Sequence, residues 1–183
     1  MKDKELFIQL LGLVPPWEIT DVQGDYDALQ IHIGISYPKG KKAPCPECGK
    51  PCPVYDHREE RHWRRLDTMQ FKTIIHSKIP RIECPLHSTK SISVPWADVR
   101  SHFTLLFERF AIDVLLGCQN QTKAGEILKV SWDEAHEIQK RAVSRGLSRR
   151  EDEPLSYVGI DEKSFLKGHN YTTLLVDMNA RGC

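Results

Sequence analysis

The chain has 183 residues, enough for one ordinary domain or for two or three small ones, and its composition is that of a globular protein. No apolar run approaches the roughly 18 residues of a membrane-spanning helix. The apolar stretch at residues 5–14 lacks the cleavage site that follows a secretory signal. These features argue against membrane insertion and export, so we expect a cytoplasmic protein.

The formal net charge is only +1, but the charges are unevenly distributed. Residues 39–90 hold 12 basic and 6 acidic side chains, whereas residues 1–38 hold 2 and 6, and residues 151–183 hold 3 and 6. A cationic middle suits contact with a phosphate backbone, although a solvated surface is the commoner cause of such an excess. The charge pattern therefore admits a nucleic-acid partner without establishing one.

The first predicted elements are a short helix and a strand. Residues 5–13 have helical apolar spacing that stops before two consecutive prolines. Residues 28–37 alternate apolar and polar side chains, which predicts a half-buried strand. Its expected buried face consists of Leu29, Ile31, Ile33 and Ile35.

A second alternating run lies at residues 70–84. Phe71, Ile75 and Ile79 share one face of this predicted strand. We expect Pro80 to interrupt it, because proline cannot donate a hydrogen bond to a strand ladder. The two runs together predict that residues 28–94 form a small β-rich module.

Cysteines with metal-ligand spacing flank the second strand. Cys45 and Cys48 are two residues apart and precede Gly49, and Cys84 and His87 repeat the spacing after 35 intervening residues. Where thiols stay reduced, two such pairs predict a tetrahedral Cys₃His site for Zn²⁺. Because the protein would fill all four positions, the predicted role is structural. The metal would supply much of the folding free energy of a module with a thin core.

Other interpretations of these cysteines remain open at this point. The thiols would also serve as ordinary small apolar side chains, and Cys52 or His57 would replace one of the four ligands. A redox function of the first pair is the weaker rival, because no βαβ pattern surrounds it.

The segment at residues 57–67 is rich in arginine around Trp63. Arginine beside an aromatic residue suits phosphate contact and stacking, although a solvated strand has the same composition. Beside a predicted zinc module, contact with nucleic acid becomes as good an interpretation of this segment as a solvated strand. The candidate DNA-binding side chains here are Arg58, Arg61, Arg64 and Arg65.

From residue 103 the apolar spacing becomes helical, and a first helix is predicted to end near Gly117. Apolar residues recur at intervals of three and four along it. Its expected buried positions are Phe103, Leu106, Phe107, Phe110, Ala111, Val114 and Leu115.

Two further helices are predicted at residues 122–128 and 131–145, separated by only two residues. Ser131 and Glu134 form a capping box at the start of the second of them. So short a connection is typical of a helix-turn-helix, whose second helix enters the major groove of DNA. The expected buried stripe of that helix consists of Trp132, Ala135, Ile138, Ala142 and Val143.

The exposed positions of these helices supply further candidates for DNA contact. Acidic residues near the start of the third helix, Asp133, Glu134 and Glu137, are unfavourable beside phosphates, so a plain helical bundle remains an alternative. The candidate DNA-binding side chains of the two helices are Lys123, His136, Lys140, Arg141 and Arg145.

A lone carboxylate, Asp161, ends an apolar strand-like run near the end of the sequence. A carboxylate in that position is placed to hold a divalent cation, although a polar turn is the simpler interpretation from spacing alone. Two-metal phosphoryl transfer needs several carboxylates. After Asp161 the sequence offers only Glu162 and Asp177.

Several motifs resemble, in their order, the front part of bacterial insertion-sequence transposases of the ISL3 family: "CPECG", "HWRRLD", "PRIECPLH", "VSWDEAHEIQKRAV" and "GIDEKS" with "KGHNY". The resemblance runs from about residue 5 to the last residue. It implies a zinc-binding domain, a helix-turn-helix and then an RNase H-like catalytic domain of the Asp-Asp-Glu type, which cuts and joins DNA at the inverted repeats of the element.

The resemblance also implies residue roles. The two Cys-x-x-Cys/His pairs become zinc ligands, residues 122–145 become the DNA-binding helices, and Asp161 becomes the first catalytic carboxylate. The second aspartate and the final glutamate of the family would lie in sequence that this chain lacks. We therefore expect an incomplete catalytic triad, with Mg²⁺ or Mn²⁺ required only in the full-length catalytic form.

The expected fold is α+β and has four segments. These are an N-terminal helix and lead-in at residues 1–27, a zinc-binding β-rich domain at 28–97, a helix-turn-helix domain at 98–150, and the truncated first strands of an RNase H-like domain at 151–183.

The expected function is that of a DNA-binding transposase fragment that recognises terminal inverted repeats in DNA transposition. Double-stranded DNA is the expected partner, a homodimer is a further expectation, and no membrane contact is expected. The alternatives are a zinc-dependent repressor of the parent element and a zinc-stabilised protein-interaction module. The last of these would bind its partner without the steep salt dependence of phosphate contacts.

Overall fold

The structure is a computed structural model that describes residues 3–118, 120–151, 157–166 and 170–178. The chain divides into two compact units, Met1–Ala142 and Val143–Cys183. Within the described ranges, no helix is long and apolar enough to cross a membrane.

The first unit contains a β-rich region followed by helices, as the sequence predicts. In chain order its elements are α1 (Asp3–Leu11), β1 (Glu18–Asp25), β2 (Gln30–Ser36), β3 (Ala43–Pro44), β4 (Pro51–Cys52), β5 (Val54–Arg64), β6 (Lys72–Cys84), β7 (Ser88–Ser91), α2 (Leu105–Cys118), α3 (Gln121–Leu128) and the greater part of α4 (Trp132–Leu147).

The main sheet has the strand order β1-β2-β6-β5 and is built around β6. β2 runs parallel to β6, and the other pairs are antiparallel. β5 lies along one edge of β6, while β2 and β7 share the other edge: β2 pairs with its first half and β7 with its last four residues. β3 and β4 form a separate short ladder.

One face of the sheet is buried. Ile33, Ile75 and Trp63 lie side by side on β2, β6 and β5, and all three have 0% of their surface exposed. Trp17 and Trp96 belong to the same core and meet edge to face, with 4.8 Å between ring centroids. Burial of these large apolar side chains is the main favourable contribution to the stability of the sheet.

The predicted strand at β2 is confirmed, but its buried face is shorter than the alternation indicates. Ile33 and Ile35 are buried, whereas Leu29 lies in the turn before β2 with a φ of 51° and is exposed. The left-handed backbone at Leu29 breaks the alternation of side-chain direction that a strand imposes. The sequence does not predict β1, because most of its side chains are polar and exposed.

β6 continues through Pro80, where the sequence predicts an interruption. Pro80 lies between the part of β6 that pairs with β2 and the part that pairs with β7. On the other edge its partner is His57, next to a register irregularity of β5 between His57 and Glu60. Irregular pairing of this kind is where a strand tolerates proline, which donates no hydrogen bond.

α2, with Phe103 just before its first residue, presents the predicted apolar stripe with two exceptions, and Val114 is half-buried. Phe103, Phe107, Ala111 and Leu115 are buried. Leu106 and Phe110 are 46% and 45% exposed, so the helix buries a narrower face than the sequence indicates.

α3 and α4 form the predicted helix-turn-helix. The side chain of Asn120 caps α3 by accepting a bond from the backbone N–H of Lys123, and Lys129 ends the helix with a left-handed φ of 54°. The predicted capping box opens α4: the Ser131 N–H donates to Glu134 Oε2 at 2.8 Å, and the Glu134 N–H donates to Ser131 Oγ at 3.2 Å.

The buried stripe of α4 is narrower than predicted. Ala135 and Ile138 have 0% exposure, but Trp132 and Val143 are 53% and 59% exposed. The prediction fails for both residues because α2 and α3 cover only the middle of the apolar face of α4.

The second unit contains the end of α4 and a hairpin of two antiparallel strands, β8 (Val158–Leu166) and β9 (Asn170–Asp177). Two strands do not establish an RNase H-like domain, which stays a prediction, as does the division into four segments. Residues 167–169, within the motif "KGHNY", lie outside the described residues.

Candidate functional site

The first Cys-x-x-Cys pair lies in the tight turn between β3 and β4. The Cys45 N–H donates to the Lys50 carbonyl at 2.9 Å, and the Gly49 N–H donates to the Cys45 carbonyl at 2.8 Å. Gly49 has a φ of 70°, a conformation that glycine adopts without steric cost. The turn therefore holds Cys45 and Cys48 on one side of the backbone.

The second pair lies in the turn between β6 and β7. Cys84 is the last residue of β6, and it pairs with Ser88 at the start of β7. His87 lies between the two strands. The pairing of β6 with β7 thus determines the position of Cys84 and His87. The ladder of β3 with β4 determines the position of Cys45 and Cys48.

The two turns bring four predicted ligand atoms together. Cys45 Sγ is 3.6 Å from His87 Nδ1, Cys48 Sγ is 3.8 Å from Cys84 Sγ, and Cys84 Sγ is 3.7 Å from His87 Nδ1. All four atoms lie within 4.8 Å of one another. Zinc–sulfur and zinc–nitrogen bonds of ordinary length in a tetrahedron require edges of about 3.8 Å between sulfurs and about 3.6 Å between sulfur and nitrogen.

A carboxylate that sequence reasoning missed orients the histidine. Glu47 Oε2 is 3.4 Å from His87 Nε2, and Glu47 Oε1 is 2.7 Å from Lys90 Nζ. The bond to Lys90 holds the pKa of Glu47 below its usual value. A carboxylate on one ring nitrogen keeps the other, Nδ1, directed at the three sulfurs. Nothing in the sequence connects Glu47 with His87, because the two meet only in the folded chain.

Two of the three thiols of this cluster, those of Cys45 and Cys84, have a lowered pKa, whereas the pKa of Cys48 is raised, as is that of the neighbouring Cys52. The backbone N–H of Leu86 is the largest cause that lowers the pKa of Cys84, to about 7, and the N–H of Cys48 likewise lowers the pKa of Cys45. Burial raises the pKa of Cys52, whose Sγ donates to the Lys50 carbonyl at 3.4 Å. The lowered pKa values of Cys45 and Cys84 favour the thiolate form that binds metal.

The alternative ligands lie outside the group of four ligand atoms. Cys52 is buried in the core of the sheet, and His57 lies exposed on β5. The structure therefore brings together the first set of candidate ligands and neither of the substitutes.

Three of the arginines on and after β5 contact backbone carbonyls. Arg61 donates to the carbonyls of Val99 and Ser101 at 3.0 and 3.1 Å. Arg64 donates to the Lys129 carbonyl at 2.8 Å and lies over the ring of Phe107.

Arg65 is buried, whereas Arg58 is exposed to solvent. Arg65 is 7% exposed, donates to the Leu10 carbonyl, and has a pKa that burial lowers. Arg58 is exposed, and its Nε donates to Ser91 Oγ at 2.7 Å. Among the four predicted arginines of this segment, Arg58 is the one that presents its side chain at the surface.

The remaining predicted side chains lie on α3 and α4. Lys123, His136 and Lys140 are exposed, and the ring of His136 stacks on Trp132 at 5.2 Å between centroids. Arg145 is half-buried in the last turn of α4. Arg141 points inward instead, and its Nε donates to Glu108 Oε1 at 2.8 Å. Sequence reasoning missed the exposure of Trp132, although its i, i+4 spacing from His136 is the signal for that stacking.

Asp161 lies exposed on β8, opposite Leu174 of β9. Within the part of the chain that the structure describes, it belongs to no group of three or more metal-ligating side chains. Its predicted catalytic role stays a prediction.

Comparison with known proteins matches both parts of the first unit. Residues 41–87 match the zinc finger of the transposases IS204, IS1001, IS1096 and IS1165, and residues 92–143 match the helix-turn-helix domain of the ISL3 transposase family. The first range contains both ligand pairs, and the second contains α2, α3 and most of α4.

The chain is also similar to transposases for the insertion sequence element IS1557 from two strains of Mycobacterium tuberculosis. Identity is 27% over 184 residues, covering 97% of this chain and 41% of each relative. The chain therefore spans less than half the length of these relatives. No solved structure matches it. A zinc-finger match, an adjoining helix-turn-helix match and a transposase relative along nearly the whole chain together support an N-terminal part of an ISL3-family transposase.

Proposed function

We propose that this chain is the DNA-binding part of an insertion-sequence transposase and that it recognises the terminal inverted repeats of its element. The observation that supports this most strongly is the direct bond between its two DNA-binding modules. Arg64, at the end of β5, donates to the carbonyl of Lys129 in the turn between α3 and α4. Sheet and helix-turn-helix therefore meet the duplex as one body within the first unit.

We assign a structural zinc ion to Cys45, Cys48, Cys84 and His87. The zinc-finger match and the spacing of the four ligand atoms support this assignment. When bound, the ion supplies cross-linking between the β3–β4 turn and the β6–β7 turn. The protein fills all four positions, so we assign no catalytic step to it.

The exposed face of α4 is suited to groove contact because two of its three acidic side chains near the front are already engaged. Glu134 accepts the bonds of the capping box, and Glu137 lies 3.7 Å from Lys140 and 3.9 Å from Arg141. These contacts reduce the repulsion of phosphates that the sequence suggests. We propose that α4 is the recognition helix, with Trp132 and His136 at its front.

The predicted basic residues divide into two groups by their contacts. We propose that Lys123, Lys140 and Arg58 contact phosphates directly, and we retain His136 and Arg145 as candidates on α4. Arg61, Arg64, Arg65 and Arg141 act through the fold, because carbonyls or a buried carboxylate engage their guanidinium groups.

We propose that the 183-residue chain by itself does not cut DNA. Asp161 would be the first carboxylate of a triad whose other members, with Mg²⁺ or Mn²⁺, act in the longer form. The test incubates the purified chain with Mg²⁺ and a donor duplex and looks for cleavage products. Cleavage that disappears in Asp161→Ala would overturn the proposal.

Binding is tested with a duplex that carries the terminal repeat and with a scrambled duplex of the same length. Fluorescence anisotropy between about 50 and 200 mM salt should give tighter binding to the repeat and a steep salt dependence for both. Equal affinities would contradict repeat recognition, and binding that does not vary with salt would support the protein-interaction alternative. Competition against an intact transposase for the same repeat tests the repressor alternative, and sedimentation of the free chain tests the expected homodimer.

A further inference from the structure

The face of the sheet opposite the core carries a row of histidines that the proposed function does not use. His32 on β2, His76 on β6 and His62 on β5 lie side by side on this face. His32 Nδ1 is 2.7 Å from His76 Nε2, and His62 Nδ1 is 2.8 Å from His76 Nδ1. Glu60, also on β5, brings Oε1 to 3.5 Å from His76 Nδ1.

We propose that Glu60, His62 and His76 form a second metal site, which binds a divalent transition-metal ion, zinc in the first place. One ligand atom from each residue lies within 4.8 Å of the other two. Two imidazoles and one carboxylate are a donor set that binds borderline cations such as Zn²⁺, Co²⁺ and Ni²⁺. This inference rests on neither the zinc-finger cluster nor DNA binding.

The hydrogen bond between His32 and His76 prepares the ligand atom. With the proton of His76 on Nε2, the ring donates to His32 Nδ1, and the lone pair of His76 Nδ1 is left facing His62 and Glu60. A metal-binding histidine commonly donates its second ring N–H in this way, which fixes the tautomer and the ring orientation. His32 is thus a positioning residue from a third strand.

The distances suit a metal centre after small movements of exposed side chains. Metal–nitrogen bonds of ordinary length place two ligand atoms about 2.9 Å apart at right angles and about 3.4 Å apart in a tetrahedron. The separations are 2.8 Å between His62 Nδ1 and His76 Nδ1 and 3.5 Å between His76 Nδ1 and Glu60 Oε1. Glu60 and His62 are exposed, so they adjust without repacking the core.

The site would remain open on one side. Glu60 and His76, with His32, line a broad cleft of about 1140 Å³ on this face of the sheet. Three protein ligands leave at least one position of the ion for water or for an external ligand that enters from the cleft. The bound ion would also link β5 to β6 on the face that the core does not stabilise.

The experiment counts metal ions in four proteins. Wild type, His62→Ala, His76→Ala and His57→Ala are equilibrated with Zn²⁺, separated from free ion and analysed by elemental mass spectrometry. His57 is the matched control, because it is exposed, lies on β5 and lines the same cleft but is not among the grouped ligands. Wild type and His57→Ala should bind one ion more than His62→Ala and His76→Ala.

Three further measurements identify the site. His62→Ala should lose this ion whether or not the cysteine cluster binds its own, so a failure of the zinc-finger assignment leaves this test intact. His32→Ala should keep the ion count and weaken the second ion about 10- to 100-fold in calorimetric titration. With Co²⁺, the second equivalent should add ligand-field absorption without thiolate charge-transfer bands.

Equal metal content in wild type, His62→Ala and His76→Ala would overturn the proposal, and so would an equal loss in His57→Ala. Circular dichroism shows whether His76→Ala folds. If His76→Ala does not fold, His62→Ala and Glu60→Gln, which change exposed residues, test the proposal instead. Each of these variants should lose the same single ion.

Discussion

Arg141 on α4 donates from Nε to Glu108 Oε1 on α2 at 2.8 Å, and the carboxylate of Glu108 has 0% of its surface exposed. Ser101 Oγ donates to the same oxygen at 2.7 Å. A buried carboxylate held by two donors joins the loop before α2 to the last helix of the helix-turn-helix. Arg141, which the sequence predicts as a DNA-binding side chain, thus pairs with a buried carboxylate instead.

Arg141→Ala should therefore reduce stability rather than remove a phosphate contact. Removing one partner of a buried ion pair typically costs about 3 to 5 kcal/mol, because the remaining charge stays buried. Urea unfolding followed by circular dichroism measures the loss. Lys140→Ala is the control, since the Lys140 side chain is 70% exposed and its removal should change the free energy of unfolding by at most about 0.5 kcal/mol. Equal unfolding midpoints for the two variants would contradict the assignment.

Cys48→Ser should abolish the zinc of the four-ligand cluster, whereas Cys52→Ser should retain it. The two thiols lie four residues apart, but only Cys48 Sγ belongs to the group of ligand atoms. Because the metal contributes to folding, Cys48→Ser should also make residues 41–87 sensitive to protease. Elemental analysis and limited proteolysis give the result. Loss of this zinc in Cys52→Ser would show that the ligand set is wrong.

Glu47→Gln should weaken zinc binding without changing the number of bound ions. Glu47 orients His87 through Nε2 and is itself held by Lys90. Loss of such a supporting carboxylate typically costs about 10- to 100-fold in metal affinity. Competition with a chromogenic chelator measures the change, and Glu59→Gln, an exposed carboxylate on β5, serves as control. An affinity equal to that of wild type would remove Glu47 from the site.

Lys123→Ala and Lys140→Ala should each weaken binding to specific and random DNA and flatten its salt dependence. Each phosphate contact that is lost should lower the slope of log K against log salt by about 0.9. Lys39→Ala, which removes a lysine outside the helices, should leave the slope unchanged. Unchanged slopes for both helix variants would place the DNA on another face of the unit.

Asp56 and Arg81 should make stability depend on pH in the acid range. The Arg81 guanidinium bonds the carboxylate of Asp56 across β5 and β6 and holds its pKa below the usual value. The carboxyl group of Asp56 therefore stays ionised in the folded state at a pH at which the unfolded chain protonates it. The resulting stabilisation is present above about pH 4 and is lost as pH falls through the folded pKa. Asp56→Asn and Arg81→Gln should both reduce the pH dependence of the urea unfolding midpoint below about pH 4. A slope equal to that of wild type in both variants would contradict this account.

Features that depend on near neighbours in the chain were predictable. The Cys-x-x-Cys turn, the cap formed by Ser131 with Glu134, and the helical spacing after residue 103 all follow from local backbone geometry, and all are present in the structure. The family resemblance rested on the same local motifs. Predictions of burial were less accurate at Leu29, Trp132 and Val143, since periodicity does not show how far a neighbouring element covers a face.

By itself the sequence determined that two ligand pairs, a β-rich module and a helix-turn-helix follow one another. Each of these features depends on patterns among residues that are only a few positions apart. Only the tertiary structure decided that Arg64 and Arg141 face inward, that Glu47 holds His87, and that His76 meets both His32 and His62. His32 and His76 are 44 residues apart, and strand register brings them together. Register depends on the buried face of the whole sheet, so no local pattern specifies the contacts made on its open face.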